Sequence, residues 1–451
     1  MPHTQAHLRY EPLYPALMAV SVALIGYGFL MDSPQVILQG LYTIISNDGA
    51  LITDYIALAG PGAAFCNAGL VGMISVLILH YTEDCLNGLA ITIYGLMVGF
   101  ALFGKNIVNI WPILFGTYLY AKSRKESFSK YSIPAMMITC LAPVVSYVAL
   151  DNGFGNILAG AGVGVFIGFI VPPLAAYTYR IQNGMNLYNV GFACGLVAMM
   201  LVPLLDSLGA SPQTYSYWST EHELSMGILL TAFCLLCILV GFLAFKQPVW
   251  AVWAGYRRLL KTSGRSPSDY LRMFGPGPAL LNVGINGLVA MTVLVLAGGD
   301  LNGPTLGGIF TIMGFSTFGK HIANILPVMG GVLIGAALFH WDLSNPGSQL
   351  ALLFCTTLAP MAGYFGWRWG VVAGFLHSSV VLFTASPVSG MNLYNNGFSG
   401  GLIAIVLYPL IIDIAKHRKI TIQDEDFFEP LVHDEPVTAP GYHQMAEEKD
   451  D

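Results

Sequence analysis

The chain has 451 residues, of which 55% are hydrophobic and only 10% charged. Water-soluble domains carry roughly 25% charge, so this composition excludes an ordinary soluble globule and indicates a membrane protein. The formal charge of −6 is concentrated at the end: residues 420–451 hold ten of the 25 acids and one of the 19 bases, leaving 25 − 10 = 15 acids against 19 − 1 = 18 bases.

In chain order, residues 1–11 read as a cytoplasmic N-terminus. A first membrane repeat spans 12–205. It opens with an apolar run, 12–31, followed by an interfacial segment, 32–60, and a second helix, 62–80. A broken apolar stretch covers 88–121, and three helices at about 132–150, 156–179 and 187–205 close the unit. Several runs approach the 20 or so residues that cross a hydrocarbon core. An external linker, 206–226, leads to a second repeat, 227–411, whose elements fall at 227–246, 247–275, 278–297, 303–337, 350–366, 370–386 and 391–411. An acidic cytoplasmic tail, 412–451, reads as a solvated appendage. The first run is not a cleaved signal peptide, because its counterpart lies mid-chain.

The duplication rests on constant spacing. Asp54 and Asp269, Asn67 and Asn282, Asn87 and Asn302, Lys105 and Lys320, and Pro112 and Pro327 are all 215 apart, as in 269 − 54 = 215. Leu141-Ala142-Pro143 matches Leu358-Ala359-Pro360, and Gly184-Met185-Asn186-Leu187-Tyr188-Asn189 returns unchanged from Gly390 to Asn395.

Basic residues mark cytoplasmic loops, and here equivalent loops differ. Loop 122–130 carries Lys122, Arg124, Lys125 and Lys130, whereas its counterpart near His340–Ser348 carries none. Segment 246–272 holds six bases and segment 31–57 none. Equivalent loops therefore lie on opposite sides, which requires an odd number of crossings per unit. The expected fold is an all-α polytopic membrane protein of two inverted-topology repeats. Each has about five transmembrane helices plus one broken or re-entrant hairpin, with both termini cytoplasmic.

Two bases break this pattern. Lys105 and Lys320 interrupt uncharged stretches in the words Phe-Gly-Lys-Asn-Ile-Val-Asn and Phe-Gly-Lys-His-Ile-Ala-Asn. Inside a membrane, a lysine costs several kcal/mol unless paired or hydrated, so it would face a water-filled cavity or an anion. Lys105, Asn106 and Asn109, and likewise Lys320, His321 and Asn324, stand near a helix N-terminus, where free N–H groups attract anions. The bland reading is a snorkelling lysine at a hairpin tip. Asn186, Asn189, Asn392 and Asn395 open helices at glycine-rich breaks. They read either as solute or cation ligands or as plain helix caps. Asn87 and Asn302 read as caps. Cys234 and Cys237 form a CxxC inside an apolar run, where neither redox nor metal chemistry is expected, and His377 reads as a packing residue.

The duplicated pattern, with FGK and GMNLYNxGF in each half, resembles a prokaryotic family of integral membrane proteins of unknown function whose domain occurs twice per chain. That resemblance implies the class, and no substrate. The expected function is a secondary transporter of a small polar or anionic solute, with its site at the repeat interface. A passive channel for a small polar molecule is the alternative, and an intramembrane enzyme stands behind both. No catalytic residue, metal, cofactor or nucleic-acid partner is expected. The expected partners are the solute, the lipid bilayer of the cell membrane, a coupling ion (Na⁺ or H⁺) and a second copy of the chain.

Overall fold

A computed structural model describes residues 13–82, 87–150, 154–210, 212, 215–245 and 247–417. The expected N-terminal segment, the acidic tail beyond residue 417, Cys85, Lys246, Arg418 and Lys419 lie outside the described residues. Helices make up the fold, and two isolated bridges, Thr53 with Tyr217 and Asp269 with Phe318, are the extended pairings among the described residues.

Ten helices form the first half. They are α1 (Leu13–Met31), α2 (Pro34–Ile45), α3 (Tyr55–Ala59), α4 (Pro61–Thr82), α5 (Gly88–Phe100), α6 (Trp111–Ser123), α7 (Ser132–Ile138), α8 (Ala142–Ala149), α9 (Ile157–Gln182) and α10 (Asn189–Ser207). The second half repeats them as α11 (Glu223–Leu243), α12 (Val249–Leu259), α13 (Tyr270–Phe274), α14 (Pro276–Leu296), α15 (Gly303–Phe315), α16 (Ile322–Phe339), α17 (Pro346–Phe354), α18 (Ala359–Phe365), α19 (Trp367–Thr384) and α20 (Asn395–His417). Each helix has its counterpart ten numbers later.

Eleven of the described spans are long and apolar enough to cross a membrane. Five lie in the first half and six in the second, because α16 has 18 residues where α6 has 13. The difference lies where each helix begins. Asn106 Oδ1 accepts from the N–H groups of Val108 and Asn109, both at 2.9 Å, and holds the chain in a local turn. At the matching position stands His321, and α16 starts immediately after it.

The spans α7–α8 and α17–α18 are the most enclosed, 83% and 89% buried, while α1 and α11 are 22% and 28% buried and form the periphery. Each enclosed span is broken in the middle by a turn of 3₁₀ helix, Thr139–Leu141 and Cys355–Leu358.

At the centre, α5 and α15 run antiparallel with their backbones in contact. A Cβ added to Gly99 would come within 2.9 Å of Gly307 O, one on Gly95 within 2.9 Å of Phe310 O, and one on Gly88 within 2.2 Å of Thr317 O. Small residues permit such close approach without a hydrophobic driving force. The counterparts α10 and α20 cross at Gly191 and Gly397, where Phe192 stacks on Phe398 with ring centroids 5.7 Å apart. Gly95 with Phe310, Gly191 with Gly397 and Phe192 with Phe398 are all pairs of equivalent positions. Two such points of self-contact define an axis of exchange between the halves.

Candidate functional site

The hairpin tips are built alike. Gly104 and Gly319 each adopt φ of +101°, a left-handed conformation that favours glycine. The next amide then turns back, Lys105 N–H donating to Phe100 O and Lys320 N–H to Phe315 O, each at 3.0 Å. That pattern closes a helix end and satisfies an orphan carbonyl. A neighbouring helix pins each tip. Asn67 Nδ2 donates to Ala101 O and Lys105 O at 2.7 and 2.9 Å, and Asn282 Nδ2 to Ser316 O and Lys320 O at 2.8 and 2.7 Å. The matching asparagines at 67 and 282 carried this signal in the repeat, but spacing alone assigned them no role.

The amides beside the lysines complete the tips. Asn109 Oδ1 accepts from Asn106 N–H at 2.9 Å, and its Nδ2 donates to Gly104 O and Ser146 Oγ, each at 3.1 Å. Asn324 repeats this with His321 N–H and Gly319 O at 2.9 Å, and His321 Nε2 meets Thr262 O at 3.0 Å. Asn106, Asn109, His321 and Asn324 thus hold protein backbone and side chains, and only the ammonium groups point onward.

Lys105 and Lys320 are fully buried, and each reaches the opposite half. Lys105 Nζ donates to Tyr394 Oη at 3.0 Å, approaches Met97 Sδ at 3.5 Å, and lies 5.0 Å from the Tyr394 ring centroid. Lys320 Nζ donates to Tyr188 Oη and, at 2.8 Å, to Thr356 Oγ1, and lies 4.4 Å from the Tyr188 ring centroid. Neither has a carboxylate within ion-pair distance among the described residues. The tyrosines belong to the GMNLYN words, so the two sequence signals meet crosswise. Each lysine therefore meets a tyrosine of the other half where the sequence suggested a water-filled cavity or an anion.

The GMNLYN asparagines hold these tyrosines in place. Asn186 Nδ2 donates to Gly397 O at 3.0 Å, and Asn392 Nδ2 to Gly191 O at 3.3 Å, another exchange between halves. Their Oδ1 atoms accept from the N–H groups of Tyr188 and Tyr394. Asn189 donates to Ala175 O and Asn395 to Val381 O, at 2.9 and 3.3 Å. The Oδ1 atoms of Asn189 and Asn395 are buried with no partner among the described residues.

Tyr188 and Tyr394 both line a cavity of about 10 Å³, the lower limit for a single water. Its wall is drawn from equivalent positions, among them Phe100 with Phe315 and Tyr188 with Tyr394. Elsewhere the halves differ: Leu96 faces in where the second half supplies Thr311, and Val190 where it supplies Asn396. Behind Asn396, His377 Nε2 lies 3.4 Å from its carbonyl oxygen. The second half thus gives the chamber its more polar wall.

A further reciprocal pair, Asp54 and Asp269, marked the repeat in the sequence without being assigned a role. Buried Asp54 accepts from Ile56 N–H, Gly303 N–H and Ser219 N–H at 2.9, 3.2 and 2.9 Å. Buried Asp269 accepts from Gly88 N–H at 3.1 Å and from Arg272 N–H at 3.1 Å. Each carboxylate caps the first helix of the other half's hairpin, where the helix dipole favours negative charge.

The sequence profile of one family, described as "Protein of unknown function (DUF1576)", matches residues 33–207 and 250–413. Those segments hold 175 + 164 = 339 of 451 residues. The chain belongs to this family. The two matched DUF1576 segments fall one in each half, leaving out α1 and α11, and enclose both lysines, both tyrosines and both capping aspartates. No curated protein and no solved structure matches the chain.

Proposed function

We propose that the chain is a membrane transport protein, a secondary transporter that carries a small anionic or polar solute through the chamber between its halves. One observation carries the reading: two lysines, fully buried and without carboxylate partners among the described residues, bond from opposite halves to Tyr394 and Tyr188, which line one small cavity. Buried cations that lack a protein counter-charge suit a site that receives a negative group. Tyrosine hydroxyls stand between ammonium and cavity, where they can yield to a carboxylate or remain as donors. A space of about 10 Å³ fits a closed carrier better than an open pore.

The second element of the proposal is inversion of the halves across the membrane. It is supported by the antiparallel course of α5 and α15 and by the unequal bases of equivalent loops. A two-fold axis perpendicular to both helices would lie in the membrane plane. Cysteines at the equivalent positions Ser46 and Lys261 should react with an impermeant maleimide from opposite faces of oriented vesicles. Reaction from a single face rules the inversion out.

Uptake into proteoliposomes tests the transport reading, with a panel of small radiolabelled carboxylates and inorganic anions as probes. Saturable, accumulating uptake is expected, reduced by at least about tenfold in correctly folded Lys105→Ala and Lys320→Ala variants. Linear flux would favour the channel, and variants as active as the parent would remove the lysines from the site.

A further inference from the structure

Helices α2 and α12 are counterparts with like inner faces and unlike outer ones. On α12, Val252, Gly255, Tyr256 and Leu259 turn inward; on α2, Ile37, Gly40 and Ile44 do the same. The outer face of α12 carries Trp250 and Trp253, then Arg257 and Arg258, and just past the helix Lys261, all exposed. At the matching positions α2 shows Gln35, Leu38, Tyr42, Thr43 and Ser46, equally exposed and wholly uncharged. Fold and burial are held constant, so the difference in charge is not a requirement of packing.

The order of residues along α12 identifies what it faces. Trp250 is 74% exposed and Trp253 48%, a cost in water that an interface with lipid removes. Seven residues separate Trp250 from Arg257, about 10 Å at 1.5 Å per residue, so aromatic rings and cations occupy opposite ends of one helix face. Arg257, Arg258 and Lys261 have no ion-pair partner among the described residues. Aromatic side chains suit the glycerol–acyl boundary, and basic ones suit phosphate.

We propose that the outer face of α12 is a binding site for anionic phospholipid headgroups, with the tryptophans at the acyl boundary and Arg257, Arg258 and Lys261 on the phosphate. Its counterpart α2 has no such site, so with the halves inverted as proposed above one leaflet is read for charge and the other is not. An acidic peptide, such as the chain's own tail, would satisfy the cations but leave Trp250 and Trp253 without a partner. The site does not depend on the transport reading.

Native mass spectrometry of the full-length protein tests it, after incubation with phosphatidylglycerol or phosphatidylcholine in mixed micelles. The parent should retain phosphatidylglycerol preferentially. That preference should shrink from 0.1 M to 1 M salt, as the screening length falls from about 10 Å to about 3 Å. Replacement of Arg257, Arg258 and Lys261 by glutamine should lower the preference by roughly fivefold per side chain. Trp250→Ala with Trp253→Ala should weaken retention of both lipids. The converse variant, Tyr42→Arg with Thr43→Arg and Ser46→Lys, should gain preference for the anionic lipid, and it decides the matter if the triple glutamine variant fails to fold. A parent that does not discriminate between the lipids, or a folded glutamine variant as selective as the parent, overturns the proposal.

Discussion

The two hairpin tips share one backbone design and differ in how their lysines are held. Lys320 has two hydroxyl partners, Tyr188 and Thr356, whereas Lys105 has the hydroxyl of Tyr394 and the sulfur of Met97. Thr139, the counterpart of Thr356, approaches that same sulfur at 3.5 Å. A thioether accepts only weakly, so the Lys105 ammonium is the less well satisfied of two otherwise equivalent groups. Duplication has preserved the scaffold and let the ligand field drift. If an anion is taken up, its charge is expected to compete more readily for Lys105 than for Lys320.

The comparison can be broken first at the aspartate caps. Asp54→Ala would orphan the N–H groups of Ile56, Ser219 and Gly303, while Asp269→Ala would orphan those of Gly88 and Arg272. Each buried unsatisfied donor costs about 1–3 kcal/mol. Both variants should lose stability on the order of 3 kcal/mol, Asp54→Ala by more, as read from the midpoint of thermal unfolding in detergent. Equal midpoints for parent and variants would show that the caps do not hold the hairpins.

A smaller effect sharpens the comparison at the tyrosines. Tyr394→Phe leaves Lys105 with sulfur and ring faces alone, but Tyr188→Phe leaves Lys320 its bond to Thr356. The first should cost more than the second by about 1 kcal/mol, the net worth of one hydrogen bond. Parallel unfolding curves for the two phenylalanine variants would erase the distinction between the tips.

Much of the architecture was legible in the sequence. Apolar runs gave the spanning helices to within a few residues, and the offset of 215 located α5 and α15, together with the lysines at their tips. The partners of those lysines were not legible. Lys105 and Tyr394 stand 289 residues apart, and the register of one half gives no information about which side chain crosses from the other. The asparagines illustrate the same limit. Their positions suggested ligands, but Asn106 and Asn109 bond within their own turn, a competition that spacing cannot rank. The 3₁₀ breaks at Thr139–Leu141 and Cys355–Leu358 were hidden for another reason: local geometry there is set by packing against the GMNLYN loops, as when Leu393 N–H donates to Cys140 O at 3.1 Å.

At the line where the halves trade places, Gly95 gives up its side-chain space to the carbonyl of Phe310, its own equivalent in the repeat. Two separate but identical polypeptides could never make that choice, since a residue facing its twin must be the same on both sides. Once fused into one gene product, the copies are free to become complementary. Leucine can answer threonine and valine can answer asparagine around one cavity, so its two sides differ inside a frame that otherwise treats them alike.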